Sequence, residues 1–181
     1  MKLVSDTLKI KVLETILSNL RPSKERRVGV EIETIFYDNN LRRLPVNPGN
    51  SYSSYDLMND LLLFQKDKKN PHAYSLEPGG QLEWASSPFI SLHDISSQWD
   101  CHISQLEKLC SDNKILPIDF AIDPLYSPRE IKLIDMKKYR LMNDRFKSVG
   151  SHGPWMMKNS SSVQINIDMV SKGDGANMAF I

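Results

Sequence analysis

Three segments of the sequence alternate apolar residues with acidic, amide or small residues at a period of two, which is the period of a β-strand. They lie at residues 27–37, 74–84 and 160–168. A Pro-Gly-Gly sequence at residues 78–80 interrupts the second segment and predicts a bend between two short paired strands. Because successive side chains of a strand point to opposite faces, these segments predict a sheet with one polar and one apolar face.

Helical spacing of apolar residues is found between these strands. Helices are predicted over residues 3–20, 55–64, 91–112 and 136–146. Ser91 is the predicted N-cap of the third helix. A further buried strand is predicted at residues 115–122, whereas the segment after Lys172 carries no strong pattern. We therefore predict an α+β fold, in which helices pack on one side of an antiparallel sheet.

Length and composition agree with a single globular domain of 181 residues, because 40% of the residues are hydrophobic and 25% are charged. A formal net charge of +1 argues against a general attraction to nucleic acid or anionic membranes. The longest purely apolar run, residues 61–64, is too short to cross a membrane, and the N-terminus lacks a signal-peptide core. With only Cys101 and Cys110 as cysteines, the sequence predicts a reduced, cytoplasmic protein. It leaves the oligomeric state open.

The polar sides of the strand segments are rich in oxygen ligands and carry no Lys or Arg between the strand ends. If the strands are neighbours, one sheet face collects Glu31, Glu33, Glu77, Gln81, Glu83, Gln164 and Asn166. Two carboxylates about 5 Å apart repel by roughly 3 kcal/mol at an effective dielectric constant near 20. Several such pairs require protonation or a cation. Oxygen ligands without His or Cys favour Mg²⁺ or Mn²⁺.

A simpler interpretation of the same pattern remains open. A strand with outward-facing Glu is also typical of the solvated face of an ordinary half-exposed sheet. Three acidic or amide-rich strands together favour the divalent-metal site only slightly over that interpretation. Gly29, which has no side chain on the polar face, would let a ligand approach the sheet closely.

Four motifs resemble those of the glutamate–cysteine ligases of the plant and alphaproteobacterial type and of their carboxylate–amine ligase relatives. They are Val-Gly-Val-Glu-Ile-Glu at residues 28–33, Ser-Leu-Glu-Pro-Gly-Gly-Gln-Leu-Glu at 75–83, Lys-Tyr-Arg-Leu-Met at 138–142, and Met-Met at 156–157 followed by Ser-Ser-Val-Gln-Ile-Asn-Ile-Asp at 161–168. The motifs occur in the order found in that family and extend over residues 27–168. The second motif is the most distinctive.

The resemblance implies a glutamine synthetase-like catalytic fold. It also implies a reaction in which ATP and Mg²⁺, or Mn²⁺ in its place, activate the γ-carboxylate of L-glutamate as γ-glutamyl phosphate. The amine of L-cysteine then attacks, giving γ-glutamylcysteine in the first step of glutathione biosynthesis. Family members usually run to roughly twice this length or more. The resemblance therefore predicts that residues 1–181 are a single, truncated N-terminal part of the catalytic domain, with an incomplete fold.

Site roles follow from the resemblance residue by residue. Metal-binding roles are implied for Glu31, Glu33, Glu77 and Glu83, among which Glu31 and Glu83 are also candidate catalytic residues. Cofactor-binding roles are implied for Gln81, Gln164 and Asn166. Either Lys138 or Arg140, both candidate catalytic residues, or neither of them, would hold the glutamate carboxylate. The family usually has Arg where Lys138 stands, and Lys lacks the bidentate fork that Arg offers a carboxylate.

Two alternatives to the glutamate–cysteine ligase hypothesis remain. The first is a carboxylate–amine ligase that uses a different amine acceptor, since the motifs do not identify a cysteine pocket. The second is an inactive truncated remnant that binds a metal or a partner through an open sheet edge. Binding to nucleic acid is not expected, because the basic and aromatic residues form no continuous stripe.

Overall fold

The computed structural model describes residues 2–66, 69 and 71–179. Its helices are α1 (Lys2–Leu17), α2 (Ser54–Leu63), α3 (Leu92–Asn113), α4 (Lys137–Val149), α5 (Gly153–Lys158) and α6 (Lys172–Met178). A short 3₁₀ turn at Ser23–Glu25 precedes the first strand. Within the described ranges, no helix combines the length and the apolar character needed to cross a bilayer.

The sheet is organised around β1 (Val28–Asp38), an 11-residue strand that pairs along both edges. On one edge it pairs with β3 (Leu82–Ala85), which in turn pairs with β2 (Ala73–Leu76). On the other edge β5 (Val163–Ile167) covers the first half of β1, and β4 (Ile115–Ile118) covers the second half. Every pairing is antiparallel, so the predicted α+β class with an antiparallel sheet is confirmed.

The hydrophobic core lies on the apolar face of this sheet. Phe36, Leu82 and Trp84 are almost fully buried there. They pack with Leu57 and Leu61 of α2, and α3 covers the remainder of the core through its buried apolar side. Helix amphipathicity thus explains why α2 and α3 lie on the side of the sheet opposite the glutamates.

Local capping fixes the ends of the core helices. Ser53 forms a reciprocal capping box with Asp56 at the start of α2. The predicted N-cap Ser91 is confirmed, because its side chain accepts a hydrogen bond from the His93 amide at 3.2 Å. Helix α3 ends at Lys114, whose φ of 55° places it in the left-handed region that commonly terminates helices.

A polar chain crosses the core between the hairpin and α3. The Tyr74 hydroxyl lies 2.8 Å from His72 Nε2 and 2.8 Å from His102 Nδ1. The His102 ring stacks on Trp84 at a centroid distance of 5.7 Å. His102 is only 1% exposed, and burial lowers its pKa to about 3, with a smaller contribution from His72. His102 is therefore neutral in the native core at neutral pH.

The other face of the sheet is covered at one end only. Ile35 and Tyr37 of β1 are fully buried beneath the segment that follows β4. The Tyr37 hydroxyl donates a short hydrogen bond to Asp123, which also forms a buried ion pair with Arg43. Glu31 and Glu33, at the opposite end of β1, are only half-buried. The polar face of β1 is therefore buried at Ile35 and Tyr37 and more open at Glu31 and Glu33.

Several boundaries differ from the sequence predictions. The strand predicted at residues 115–122 ends at Ile118, and beyond it Ala121 and Asp123 form backbone hydrogen bonds with Ser161 and Asn159. Helix α5 was not predicted, although Pro154 in its first turn is a common helix start. Helix α6 was also not predicted, and Ser171 caps it by accepting from the Asp174 amide at 3.0 Å. Helix α1 ends at Leu17, three residues before the predicted end.

Candidate metal and substrate site

Sheet register places the glutamates of β1 and β3 together. Glu33 lies directly opposite Glu83, and Glu31 lies opposite Ala85 on one side and Gln164 on the other. Directly opposed residues share a face of the sheet. The prediction that Glu31, Glu33, Glu83 and Gln164 lie on one face is therefore confirmed by the strand pairing.

Glu77 enters the same site from the bend between β2 and β3. Its amide donates to the Gln81 carbonyl at 2.9 Å, and its own carbonyl accepts from the Gly80 amide at 2.7 Å. Gly80 has a φ of 81°, a left-handed conformation that favours glycine in a short hairpin loop. The bend folds Glu77 back beside the opposed pair Glu33 and Glu83.

Hydrogen bonds connect the bend to the end of α5. The Gly79 amide donates to the Met157 carbonyl at 3.1 Å, and Gln81 Nε2 donates to the Ser160 carbonyl at 2.8 Å. A Cβ added to Gly79 would lie 2.5 Å from the Lys158 Cα, so only glycine permits this approach. We call these contacts the bend–α5 latch. They fix the position of the bend that carries Glu77.

Three carboxylates converge as a result. One oxygen from each of Glu33, Glu77 and Glu83 lies within 4.8 Å of the other two. Glu33 accepts from the Ser162 amide and hydroxyl, each at 3.0 Å, and Glu83 accepts from the Ser75 hydroxyl at 2.6 Å. Among the residues that the structure describes, no group donates a hydrogen bond to the Glu77 carboxylate. This cluster of three residues is called the acidic cluster below.

The electrostatics of the acidic cluster favour either protonation or a cation. Burial raises the pKa of Glu77, and the charges of Glu33, Glu83 and Glu31 raise it further. Burial likewise raises the pKa of Glu33, and Glu83 adds to the rise, although hydrogen bonds from Ser162 and Gln164 oppose it. A bound cation would lower both pKa values, because it favours the ionised form of each carboxylate.

The donor set fits a hard divalent cation. Oxygen ligands bind Mg²⁺ at about 2.0–2.1 Å, so two of its ligand atoms lie about 3–4 Å apart. The spacing within the acidic cluster needs only a small side-chain adjustment to meet this requirement. Mg²⁺ usually keeps several waters or takes phosphate oxygens in addition to a few carboxylates. Three half-buried glutamates suit such a partly filled coordination shell.

Glu31 and Asn166 lie further along the same face. Glu31 is two positions from Glu33 on the strand and does not belong to the group of three. Asn166 lies opposite Gly29, where an open cavity of about 280 Å³ is found. A Cβ on Gly29 would touch only Ser86 and Asn166, at 3.8 and 3.9 Å. The predicted gap at Gly29 therefore exists, with Asn166 on its border.

The two glutamines of the predicted site differ in exposure. Gln81 is 1% exposed and its amide belongs to the bend–α5 latch. Gln164 is exposed, and its Nε2 donates to Glu33 at 3.2 Å. Gln164 thus contacts the acidic cluster directly, whereas Gln81 contributes to holding the bend. Their predicted cofactor-binding roles stay predictions.

Lys138 and Arg140 start from the same turn of α4 but face different partners. The charge of Lys138 opposes the rise in the pKa of Glu77, so Lys138 lies within electrostatic reach of the acidic cluster. Its ammonium lies 4.5 Å from the centre of the Tyr139 ring. Arg140 instead forms an exposed ion pair with Asp135. Of the two cations, Lys138 is thus the one whose charge acts on Glu77, whereas Arg140 is paired with Asp135.

Sequence reasoning missed several residues that shape the site. Ser75 and Ser162 hydrogen-bond the cluster glutamates, and their positions on the polar face of their segments were a usable signal. Arg43 donates to the carbonyls of Gly79 and Lys158, at 3.3 and 3.2 Å, and so supports the latch. Arg43 lies in a loop far from these partners in the sequence, where no local pattern marks it.

Comparison with known proteins identifies the family. The family model described as glutamate–cysteine ligase family 2 matches residues 27–179. The chain belongs to this family. The match begins one residue before β1 and includes the acidic cluster, the latch and all five strands.

Curated relatives carry the same family name. The chain is 26% identical over 175 residues to glutamate–cysteine ligase A, chloroplastic, of Oryza sativa subsp. japonica, covering 88% of this chain and 34% of the rice protein. It is 29% identical over 107 residues to the chloroplastic glutamate–cysteine ligase of Medicago truncatula, covering 59% and 21% of the two chains. The Nicotiana tabacum protein gives 29% identity over 107 residues, with 59% and 20% covered. The chain thus spans about a third of the length of the rice relative.

Proposed function

We propose that the protein catalyses, or forms part of a protein that catalyses, ATP-dependent ligation of L-glutamate to L-cysteine. The observation that carries the proposal is the acidic cluster, in which Glu33, Glu77 and Glu83 converge inside a region that matches glutamate–cysteine ligase family 2. The relatives named as glutamate–cysteine ligases support the choice of substrates. A complete glutamine synthetase-like catalytic fold belongs to the same proposal.

Phosphoryl transfer explains why such a reaction needs this cluster. The γ-carboxylate oxygen of glutamate attacks the γ-phosphorus of ATP, and ADP leaves. The cysteine amine then attacks the γ-carbonyl carbon, and phosphate leaves as the amide bond forms. Catalysis of phosphoryl transfer is mostly positioning and charge neutralisation. Mg²⁺, or Mn²⁺ in its place, would supply that neutralisation when bound by Glu33, Glu77 and Glu83.

The protein's own residues would fix the geometry around the metal. Ser162 and Gln164 orient Glu33, and Ser75 orients Glu83, by the hydrogen bonds described above. The latch holds Glu77. Lys138 is the better candidate for contacting an anionic substrate group, because it lies within electrostatic reach of Glu77. Glu31 keeps its proposed metal-binding and catalytic roles, and Gln81 and Asn166 keep their proposed cofactor-binding roles.

A coupled assay of ADP release tests the proposal directly. The intact gene product would be supplied with ATP, Mg²⁺, glutamate and a panel of amines. We expect ADP release that depends on glutamate and is fastest with cysteine. If turnover is fastest with another amine, that amine is the acceptor in place of cysteine, and the protein is still a ligase. Absence of ADP release with every pair would refute the ligase proposal.

A binding module without ligase activity is the second candidate. It is favoured by the outer strand β5, whose apolar side chains Val163 and Ile165 are 67% and 65% exposed. Metal binding without any ADP release would support this second function. A reduced, cytoplasmic location is proposed together with the ligase function. The relatives above, by contrast, are named chloroplastic.

A further inference from the structure

A second open cavity, of about 990 Å³, lies between α4, α5 and the segment that precedes α4. Its lining includes Arg129, Lys147, Ser151, Trp155 and Lys158. No residue of the acidic cluster lines this cavity. We call it the α4–α5 pocket. Its lining includes three cationic side chains and no carboxylate.

Lys158 is the most unusual of these cations. It is 7% exposed, and its ammonium donates to the carbonyls of Pro128 and Ile131 at 2.8 and 2.9 Å. Among the residues that the structure describes, no carboxylate lies within 4.0 Å of this ammonium. Two of its three N–H bonds are used by the carbonyls. A buried cation is costly unless it is paired with an opposite charge.

The other two cations of the pocket are equally without a carboxylate partner in the described part of the chain. Lys147 lies close enough to Lys158 to lower its pKa, in addition to the effect of burial. The acidic residue next to Arg129, Glu130, turns to Ser127 and accepts from its amide and hydroxyl at 2.9 and 2.8 Å. Within residues 2–66, 69 and 71–179, no carboxylate therefore pairs with the positive charge of the pocket.

We propose that the α4–α5 pocket binds a phosphate-bearing anion through Arg129, Lys147 and Lys158. Several cations around one cavity suit a multiply charged phosphate better than a single carboxylate. The Ser151 side chain adds a hydroxyl at the cavity wall. The Trp155 indole is 42% exposed and offers an apolar surface to any organic part of the ligand. The phosphate could belong to a nucleotide or to inorganic polyphosphate. The proposal is independent of the ligase reaction, because it uses none of the glutamates.

Isothermal titration calorimetry with tripolyphosphate and with ATP, both in EDTA, tests the proposal. We expect saturable binding that Arg129→Gln and Lys147→Gln each weaken by about tenfold, the loss typical of one charge-assisted hydrogen bond. Lys132→Gln is the matched control, since Lys132 is an exposed lysine of the neighbouring segment outside the pocket. Absence of saturable binding, or equal affinity in Arg129→Gln, Lys147→Gln and the control, would overturn it.

Tryptophan fluorescence locates the ligand. Trp155 lines the pocket, whereas Trp84 is 1% exposed in the core. We expect ligand-dependent quenching in the native protein and in Glu83→Gln, and its loss in Trp155→Phe. Quenching that persists in Trp155→Phe, or binding that disappears in Glu83→Gln, would place the anion elsewhere and overturn the assignment. Tighter binding of ATP than of tripolyphosphate, removed by Trp155→Leu, would identify the anion as a nucleotide. Equal binding would identify inorganic polyphosphate, and either result supports the phosphate site.

Discussion

Glu33 and Glu83 face each other directly across the pairing of β1 and β3. Directly opposed side chains on antiparallel strands have Cβ atoms about 4.5–5.5 Å apart, and like charges at such positions destabilise the sheet. Glu77 adds a third carboxylate from the bend, within 4.8 Å of both. The fold therefore concentrates negative charge where hydrogen bonds alone satisfy only two of the three groups.

Removing one charge of the acidic cluster should weaken divalent-metal binding. We expect Glu83→Gln to lower Mn²⁺ affinity by at least about tenfold, since even indirect partners of metal ligands contribute 10–100-fold. Isothermal titration calorimetry measures this affinity. Glu107→Gln is the matched control, because Glu107 is an exposed glutamate of α3 outside the cluster. Equal Mn²⁺ affinity in the two variants would contradict the metal assignment. In the intact gene product, Glu83→Gln and Glu31→Gln should also abolish glutamate-dependent ADP release.

The metal-free protein should respond to pH through Glu77. Its native pKa lies above the ordinary value of 4.5, so the protonated form is favoured in the folded state. The corresponding stability is present below pH 4.5 and is lost as the pH rises through the raised native pKa. We expect Glu77→Gln to gain free energy of unfolding relative to wild type between pH 4 and pH 7, as measured by urea denaturation in EDTA.

Saturating Mn²⁺ provides the control for that experiment. Because a cation favours the ionised carboxylate, it should reverse the advantage of Glu77→Gln at pH 7. Carboxylates with lowered pKa values, such as Asp123, change stability with pH in the opposite direction. Because wild type and Glu77→Gln share these carboxylates, the difference between the two proteins cancels their contributions. A constant difference in free energy of unfolding between wild type and Glu77→Gln from pH 4 to pH 7 would argue against a strained Glu77.

His102 should make the core sensitive to acid. Its pKa is lowered to about 3 in the folded protein, against 6.5 ordinarily, so the neutral ring is favoured in the native state. This stability is present above pH 6.5 and is lost as the pH falls toward 3, by about 3 kcal/mol at pH 4. We expect His102→Gln to reduce the loss of stability between pH 7 and pH 4. His93→Gln, at an exposed histidine of α3, should leave that loss unchanged. The idea fails if both variants lose stability as wild type does.

Gly79→Ala should loosen the latch. The new Cβ would lie 2.5 Å from Lys158 Cα and 2.7 Å from its carbonyl oxygen, both of which are backbone atoms. We expect a loss of about 1–3 kcal/mol in urea denaturation, the usual cost of overpacking. Mn²⁺ affinity should fall as well, since the latch holds Glu77. Gly49→Ala is the matched control, because a Cβ there meets nothing within 4 Å. Equal stability of the two variants would show that the bend moves away from α5 without cost.

The parts of the fold predicted best from sequence are those with strong local periodicity. Strand β1, the hairpin and α3 follow directly from alternation, turn residues and helical spacing. Helices α5 and α6 are short, and α5 depends on contacts such as Gly79 with Met157 that lie far away in the sequence. Local propensity carries little information about elements held in place by distant partners.

The sequence predicted which residues form the candidate site better than it predicted how they are arranged. The shared face follows from strand parity, which is why Glu33, Glu83 and Gln164 could be grouped in advance. Parity alone does not show that the bend folds Glu77 against the opposed pair while Glu31 stays apart. It also does not reveal that Gln81 turns inward to Ser160, or that Lys138 and Arg140 diverge. These outcomes depend on loop geometry and on packing between remote segments.

The latch also has a consequence for biosynthesis of the protein. Gln81 and its acceptor Ser160 are 79 positions apart, and at about 5–20 residues per second the ribosome needs about 4–16 s to add the intervening chain. During that interval the hairpin and its crowded glutamates have been synthesised, whereas α5 and β5, which hold them in the folded protein, are not yet complete. Divalent cations present during translation would be able to bridge them. We therefore expect the yield of correctly folded protein to depend on the metal content of the medium in which it is synthesised.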